Sequence, residues 1–443
     1  MSAQKKYLIH LRVNNVSNIP SFVRWRMFII IALGSFVSYA LRSNLSIAAP
    51  TMIADLNLTD MQWGYVMAAF PAGYALFQFP GGMLGDKFGP RRTLAGIGIL
   101  WTILTVITAM VPSQAVATTG VILFSLITLR FLIGMAHAPI FPVQNCVFER
   151  WFPPGGRALP TGLSSTGLTL GIVVTAPLLP WLIVQFGWRV SFIIMAPIGL
   201  VFVALLWWYA KDDPAEHAAI NQAELDLIHG DRVPPVENPP PPPGWIRVLR
   251  NRNVLLLMLS YSCMNFVFYL VFSWFYLYLV NHKGFDAGIA GWVTSSQWLA
   301  GAAGAALGGW LCDRLCRQFG FRRGCRWPII SGMVISALLL VGGAYNPSPY
   351  LAVTMLALCF FFNQLTEGAY WATSIAIGGQ FAGTAGGLMN TGANAMGAFG
   401  AILVPWLAQF FGWTFAIASG GIFALIGAVL FLFVRPDEQM KLD

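Results

Sequence analysis

Twelve apolar runs, each about 20 residues or longer, dominate this sequence. A run of that length matches the hydrocarbon thickness of a bilayer, so each one predicts a transmembrane helix. With 57% apolar and only 10% charged residues, the chain lacks the polar side chains needed to cover several soluble domains. We therefore predict an all-α membrane protein. The predicted spans, numbered one to twelve, are 26–49, 61–84, 92–112, 116–139, 160–184, 188–210, 253–280, 287–311, 327–346, 350–378, 384–410 and 413–434.

The positions of the basic residues predict the orientation. If both termini are cytoplasmic, 22 of the 26 Lys and Arg residues lie in cytoplasmic segments, and only Arg189 and Lys283 lie on the other side. This bias follows the positive-inside rule, so the net charge of +9 is a topology signal and predicts no nucleic-acid partner. Nothing before Arg26 resembles a cleavable signal, because the first apolar run leads directly into further spans. We expect a multi-pass protein of a bacterial inner membrane.

The longest loop, 211–252, lies between spans six and seven and divides the chain into six spans plus six. Its polyproline run, which ends at Pro243, favours an extended spacer. A short motif that ends at Asp86 in the first half recurs in the second half, ending at Asp313, which indicates two related halves. The predicted organisation is an N-terminal segment 1–25, a bundle 26–210, a linker 211–252, a bundle 253–434 and a tail 435–443.

One loop carries a family resemblance. The stretch Gly82-x-Leu84-x-Asp86-Lys87-x-Gly89-x-Arg91-Arg92 resembles the signature loop between the second and third spans of the major facilitator superfamily. With the second copy and the twelve spans, the resemblance covers nearly the whole chain. It implies the major facilitator fold, with two pseudo-symmetric six-helix bundles. The residues that it implies for the gate are Gly82, Asp86, Lys87, Gly89 and Arg91, with Asp313 and Arg314 in the second copy.

Span one carries a narrower resemblance. Tyr39-Ala-Leu-Arg42-Ser-Asn44 is similar to the matching segment of the anion:cation symporter family, which includes galactonate-, hexuronate- and tartrate-type permeases and the vesicular glutamate transporters. Further matches surround Tyr74, Arg130 and Trp188. The resemblance implies that Arg42 and Arg130 bind the substrate carboxylate. It also implies that Tyr370, Trp371 and Asn390 lie at the substrate.

Few ionisable residues lie well inside the spans: Arg42, Arg130, His137 and Glu367. A charge at membrane depth costs several kcal/mol unless it faces a cavity or a partner, so each is a functional candidate. Two arginines and one carboxylate cannot neutralise one another, and the surplus positive charge suits an organic anion held by the planar guanidinium fork. The alternative is a buried ion pair that locks the helices together.

The usual proton carriers of the resembled family are missing. The position of His137 generally holds a glutamate, and Leu41 replaces the aspartate of the proton-coupled permeases. His137 lies seven residues after Arg130, so both should lie on one helix face and point into the same cavity. We predict proton coupling through Glu367, with His137 as a second candidate; uniport, exchange and sodium coupling stay open.

Polar and aromatic side chains complete the predicted site. Asn390 and Asn394 are one turn apart and share a helix face. Packing is the favoured interpretation for Tyr269, Trp274 and Trp298, since aromatic residues in membrane helices are often packing or interface residues. The predicted lining residues are Tyr39, Tyr74, Gln364, Tyr370, Trp371, Asn390 and Asn394.

These features together predict a secondary transporter that takes up a small organic anion, such as a sugar acid or an aromatic acid, by alternating access. The chain has no GxxxxGK[ST] nucleotide-binding loop and no convincing catalytic set, which disfavours an ATP-driven pump or a membrane enzyme; a transporter-like sensor stays open. Cys312, Cys316 and Cys325 have no nearby histidine, so we predict no metal and no cofactor. A monomer is the family expectation.

Overall fold

The computed structural model describes residues 19–153, 158–229, 248, 250–378 and 382–439. Most of the predicted N-terminal segment, the polyproline part of the linker and the end of the tail lie outside the described residues. The same holds for the side-chain surroundings of Gly82 and Asp86, although both positions lie on a helix.

The regular structure of the described residues is helical, as predicted. One short 3-10 turn, Pro214–Glu216, lies in the linker. The helices are α1 Val23–Asp55, α2 Asp60–Phe88, α3 Pro90–Ala109, α4 Thr119–His137, α5 Ile140–Trp151, α6 Ala158–Met195, α7 Pro197–Tyr209, α8 Gln222–His229, α9 Arg252–Asn281, α10 Ala287–Phe319, α11 Phe321–Tyr345, α12 Pro349–Leu365, α13 Glu367–Gly378 and α14 Ala382–Leu432.

These helices account for all twelve predicted spans. Among the described residues, 8 helical stretches are long and apolar enough to cross a membrane. Two of them hold two spans each, because the backbone is non-helical at Gly187 in α6 and at Gly412 in α14. Spans two and eight are α2 and α10, which are long enough but less apolar than the others.

Spans four and ten each contain a helix break, and span four continues past its predicted end at residue 139 to Trp151. Span four consists of α4 and α5, and Pro139 between them lacks the backbone N–H that a continuous helix needs. Span ten consists of α12 and α13, which are separated at Thr366. His137 is the last residue of α4 and Glu367 the first of α13, so the two candidate proton carriers lie at helix breaks in equivalent spans of the two halves.

Four glycine turns show that the two halves are related. Gly89 (φ 83°, ψ 149°) joins spans two and three, and Gly320 (φ 81°, ψ 158°) joins spans eight and nine. Gly187 (φ 74°, ψ 162°) and Gly412 (φ 81°, ψ 160°) join spans five to six and eleven to twelve. Side chains other than glycine rarely adopt this backbone conformation. The same turn therefore recurs at the same two places in each bundle.

The two halves are in close contact far from the termini. An even number of spans leaves both ends of the chain on one face, which we call the terminal face; the other is the opposite face. Near the opposite face, a Cβ atom added to Gly64 would lie 2.7 Å from the carbonyl oxygen of Ala401, and one added to Gly291 would lie 2.3 Å from that of Ala176. Spans two and eleven, and spans five and eight, are therefore in backbone contact there.

The first part of the linker is fixed to the terminal face. The His217 ring lies 4.7 Å from the Tyr209 ring and 5.9 Å from the Trp151 ring, centroid to centroid. Burial lowers the pKa of His217 below its usual range. The carboxylate of Glu224, on α8, is fully buried against the start of α1. The linker thus begins as an ordered structure that holds the ends of spans one, four and six.

Candidate substrate site

Arg42 lies near the middle of α1 and is 4% exposed. Its Nη1 atom donates to the Tyr39 hydroxyl at 3.1 Å, and its Nη2 atom donates to the Tyr269 hydroxyl at 3.1 Å. Tyr269, on span seven, in turn donates to Oδ1 of Asn394, on span eleven, at 2.8 Å. Arg42 therefore belongs to the first half but is oriented by residues of the second.

Arg130 lies close to Arg42. Its Nη2 atom donates to the backbone carbonyl oxygen of Arg42 at 3.2 Å, and the residue is 3% exposed. The ring of Phe70, on span two, lies against both guanidinium groups, with its centroid 4.4 Å from Cζ of Arg42 and 4.8 Å from Cζ of Arg130. Spans one, two and four together place two positive charges around one aromatic ring.

The charge of these two arginines is not balanced. Within the described ranges, no ion pair joins either guanidinium to a carboxylate, so the alternative of an ion pair that locks the helices finds no support there. Cation–π contacts contribute about 2 kcal/mol each when desolvated, and they lower the cost of burying the charge without supplying a negative charge to neutralise it. The Nε atoms of both residues are also buried without a hydrogen-bond partner. The arrangement can accept an anion.

A small cavity lies beside Arg130. Its volume is about 20 Å³, and its lining includes Leu41, Asn44 and Phe192. Neither side-chain amide atom of Asn44 has a hydrogen-bond partner, although both are buried. About 10 to 15 Å³ suffices for one water molecule, so an organic anion enters this cavity only if the surrounding side chains move.

The arginines are surrounded by aromatic rings. Cζ of Arg42 lies 4.9 Å from the ring centroid of Tyr39, 6.0 Å from that of Tyr74 and 4.7 Å from that of Phe272. The two tyrosines are among the predicted lining residues, whereas Phe272 and Phe70 are not. Phe70 lies one turn before Tyr74, and this spacing could have identified it, since residues four apart share a helix face.

His137 is packed rather than open to the cavity described above. Its Nδ1 atom is 2.8 Å from the Ile133 carbonyl oxygen, and its Nε2 atom is 3.2 Å from that of Ser38. The ring stacks on Trp101, with centroids 4.7 Å apart, and meets the edge of Phe70 at 5.6 Å. Arg130 and His137 were expected to point into the same cavity, and this expectation holds only in part. Phe70 contacts His137 and both arginines, but the lining of the cavity includes Arg130 and not His137.

Glu367 forms a separate group in the second half. Its Oε1 atom accepts hydrogen bonds from the Tyr261 hydroxyl and from Nε1 of Trp371, both at 2.8 Å. No basic side chain forms an ion pair with it among the residues that the structure describes. Tyr261 was not predicted, and nothing in its sequence surroundings distinguishes it from other span aromatics.

The remaining predicted lining residues differ in their surroundings. Tyr370 is fully buried and its hydroxyl lies 2.7 Å from that of Ser260, so it packs inside the second bundle. Asn394 donates to the backbone carbonyl oxygen of Asn390, one turn earlier on the same helix, at 2.8 Å. The Oε1 atom of Gln364 is buried and unpaired, and can accept a hydrogen bond.

The signature loop is held by the end of span six and the start of the linker. The backbone N–H of Arg91 donates to Oδ1 of Asp212 at 2.8 Å, and its guanidinium lies 4.3 Å above the Trp207 ring and donates to the Trp207 carbonyl oxygen. A Cβ atom added to Gly89 would lie 2.6 Å from Oδ2 of Asp212, so a larger residue would displace the Asp212 carboxylate as well as strain the turn. The nearby Lys87 is exposed.

In the second copy, Asp313 and Arg314 are both exposed. Cζ of Arg314 lies 5.3 Å from the Trp310 ring centroid. The carbonyl oxygen of Asp313 accepts a hydrogen bond from Nε of Arg317 at 3.2 Å. The start of span nine is bound to the end of span twelve, because Nη2 of Arg326 donates to the carbonyl oxygens of Leu432 and Val434 at 2.7 and 2.8 Å. Both copies of the loop are therefore bound to the last span of their own half.

Two related helical bundles around a buried polar centre are an arrangement found in many secondary transporters. The sequence profile of the Major Facilitator Superfamily matches residues 31–320 and 281–443, which together cover most of the chain. This protein belongs to the Major Facilitator Superfamily. It is a multi-span integral membrane transporter and not an enzyme, as the sequence predicted.

Several curated bacterial transporters are similar over nearly their whole length. A probable sulfoacetate transporter of Cupriavidus necator is 30% identical over 412 residues, 92% of this chain and 93% of its own. A probable galactarate/D-glucarate transporter of Bacillus subtilis is 32% identical over 383 residues, with 84% and 83% covered. A D-galactonate transporter of Escherichia coli is 30% identical over 434 residues, with 95% and 97% covered. These relatives confirm the predicted likeness to anion:cation symporter-type permeases.

Solved structures share the fold. A bacterial homolog of the human lysosomal transporter Spinster, in an inward-facing and occupied conformation, superposes with a TM-score of 0.77 at 17% identity, covering 95% of this chain and 99% of that one. A D-xylose–proton symporter gives a TM-score of 0.72 at 15% identity, with 94% and 99% covered. Both support the major facilitator fold.

Proposed function

We propose that this transporter moves a small organic anion, with Arg42 and Arg130 binding the anionic group. The observation that carries the proposal is the pair of buried guanidinium groups with unpaired Nε atoms and no carboxylate partner in the described part of the chain. An anion between them would supply the missing negative charge and accept charge-assisted hydrogen bonds. Arginine keeps its charge throughout the physiological pH range, so the site would attract an anion at any such pH.

The named relatives narrow the substrate class. Sulfoacetate, galactarate, glucarate and galactonate, which appear in their names, all carry an acidic group. The amides of Asn390 and Asn394 can donate to and accept from hydroxyl groups, which favours a hydroxylated acid. The rings around Arg42 suit an aromatic acid equally well. The test therefore needs sugar acids, a sulfonated acid and aromatic acids side by side.

Alternating access is the transport mode that we propose. The contacts of Gly64 with Ala401 and of Gly291 with Ala176 hold the two halves together near the opposite face. With both termini in the cytoplasm of a bacterial cell, as the 22 of 26 basic residues suggest, that face is external and the described conformation is closed to the outside. Rocking of the two bundles as rigid bodies would then open the opposite face and admit the anion for uptake.

Glu367 is the proton carrier that we propose for symport. It lies inside span ten. One of its carboxylate oxygens accepts hydrogen bonds from Tyr261 and Trp371, and neither donor carries a charge that would neutralise the carboxylate. Such a carboxyl group can take up and release a proton without breaking an ion pair. Uniport, exchange, sodium coupling and a sensor role are the competing possibilities. We propose that a monomer carries out the transport.

Counterflow in proteoliposomes tests the substrate proposal. Purified protein is reconstituted with one unlabelled acid inside, and entry of the same labelled acid is followed for sugar acids, sulfoacetate, aromatic acids and dicarboxylates. We expect labelled acid to accumulate for one class. If no acid accumulates while one binds tightly to the purified protein, the sensor role replaces transport.

Arginine variants test the site itself. Arg42→Lys and Arg130→Lys should each reduce counterflow by roughly tenfold to a hundredfold, because lysine loses the planar fork and one charge-assisted hydrogen bond is worth about 1.5 to 3 kcal/mol. Arg435→Lys, on the exposed tail, is the matched control and should leave counterflow unchanged. Near-normal counterflow in both site variants would overturn the anion-binding role of these residues.

A further inference from the structure

Three cysteines meet at the junction of spans eight and nine. Cys312 and Cys316 lie one turn apart on the last turns of α10, and Cys325 lies on the second turn of α11. Their Sγ atoms are 3.9 Å (Cys312 to Cys316), 3.8 Å (Cys312 to Cys325) and 3.9 Å (Cys316 to Cys325) apart. The three sulfur atoms therefore form a nearly equilateral triangle, which we call the thiol triangle.

The backbone is shaped to bring these thiols together. Gly320, at a positive φ of 81°, turns the chain between the end of α10 and the start of α11. A Cβ atom added to Gly324 would lie 2.4 Å from both the N and Sγ atoms of Cys316, so only glycine permits this approach of the two helices. Cys312 and Cys325 are buried, whereas Cys316 is half-buried and gives a route from the surface.

The triangle has the dimensions of a metal site. Zinc–sulfur bonds of about 2.3 Å at tetrahedral angles hold sulfur atoms about 3.8 Å apart. A disulfide would need two sulfur atoms at about 2.04 Å and would leave the third thiol unused. The missing histidine counts against a closed four-ligand site, but three protein ligands with an open fourth position are an established zinc arrangement.

We propose that Cys312, Cys316 and Cys325 bind one thiophilic metal ion, Zn(II) or Cu(I). Soft thiolate ligands select these ions over harder ones. Binding replaces the thiol protons, which are released to solvent, and involves no change of oxidation state of the sulfur. The bound ion would tie the end of span eight to the start of span nine, at the second copy of the signature loop, next to Asp313.

Metal titration of the purified full-length chain tests this proposal. The protein is reduced under anaerobic conditions, freed of metal, and titrated separately with Zn(II) and with Cu(I) against a coloured chelator of known affinity. We expect one equivalent per chain for one of the two ions, release of protons on binding, and protection of three thiols from alkylation. The proposal would be overturned if an ion bound with the same affinity after all three cysteines were alkylated. It would also be overturned if neither Zn(II) nor Cu(I) bound to the unaltered protein.

Matched variants assign the ligands. Cys312→Ser and Cys325→Ser should abolish stoichiometric binding, and Gly324→Ala should weaken it by pushing Cys316 away from its partners. Cys263→Ser, on span seven, is the control and should bind as the unaltered protein does, because Cys263 lies outside the thiol triangle. Monodisperse elution of each variant shows that it is folded. Full binding by the Cys312→Ser, Cys325→Ser double variant would exclude the site, and transport plays no part in this readout.

Discussion

Arg42, in the first half of the chain, is hydrogen-bonded to Tyr269, in the second, through Nη2 and the tyrosine hydroxyl at 3.1 Å. Because the same hydroxyl donates to Asn394 at 2.8 Å, a chain of hydrogen bonds connects span one, span seven and span eleven. Any rocking of the two bundles must break or rearrange this chain. The orientation of the guanidinium is thus coupled to the relative position of the halves.

Removal of the Tyr269 hydroxyl tests that coupling. In Tyr269→Phe the ring still packs, but Arg42 and Asn394 each lose a partner, and a hydrogen bond to a charged group contributes about 1.5 to 3 kcal/mol. We expect the affinity for the transported anion to change by roughly tenfold or more, measured by binding to the purified protein. Tyr350→Phe, whose side chain is exposed, should bind as the unaltered protein does. Equal affinities in both variants would disprove the role of the hydroxyl.

The sequence predicts the spans far better than the contacts within the site. Apolar runs of bilayer length and the few ionisable residues within them are distinct signals, and they lead directly to Arg42 and Arg130. Phe70 and Phe272 have no such signal, because the chain contains 33 Phe residues and most serve packing or the lipid interface. Their contact with the guanidinium groups depends on how spans two and seven pack, which no local pattern encodes.

The sequence also gives no signal for the role of Tyr269. Packing was the favoured interpretation of this residue, yet its hydroxyl bridges Arg42 and Asn394. A tyrosine differs from a packing phenylalanine only by this hydroxyl. The partner of the hydroxyl, Arg42, lies on a helix more than 200 residues away in sequence. The glycine turns show the limit of the predicted repeat, which ends at Asp86 and Asp313; the structure extends it by placing Gly320 in the second half where Gly89 lies in the first.

Glu367→Gln should separate coupling from translocation. Glutamine keeps an oxygen that can accept from Tyr261 and Trp371, so the local structure should persist, but it cannot carry a proton. We expect accumulation driven by a pH gradient to be abolished while counterflow continues. Glu438→Gln, on the exposed tail, is the control. Unchanged accumulation in Glu367→Gln would exclude this residue as the proton carrier.

His137→Gln distinguishes a packing histidine from a titrating one. Both ring nitrogens face carbonyl oxygens, of Ile133 and Ser38, and a neutral imidazole can donate to only one of them. Glutamine keeps a donor but loses the stacking on Trp101, so we expect a loss of roughly 1 to 3 kcal/mol in the free energy of unfolding. The dependence of uptake on the pH gradient should remain. If that dependence disappears while counterflow continues, His137 rather than Glu367 carries the proton.

Glu224→Gln should loosen the linker from the first span. The buried carboxylate accepts from the backbone N–H groups of Val23 (2.9 Å) and Arg24 (3.1 Å), from the Ser21 hydroxyl and from the Arg24 guanidinium (3.2 Å). It thereby caps the N-terminus of α1, where negative charge is favoured by the helix dipole.

Glutamine retains one acceptor oxygen but removes the charge, so the half-buried Arg24 guanidinium loses its ion pair, at a cost of about 1 to 3 kcal/mol. We expect faster hydrogen exchange at the start of α1 and in α8, together with a lower melting temperature, while anion affinity is unchanged because Arg42 lies farther along α1. Glu216, in the same linker, is exposed, so Glu216→Gln should change neither the hydrogen exchange nor the melting temperature. Exchange rates in Glu224→Gln that match those of Glu216→Gln would show that the cap does not hold the linker.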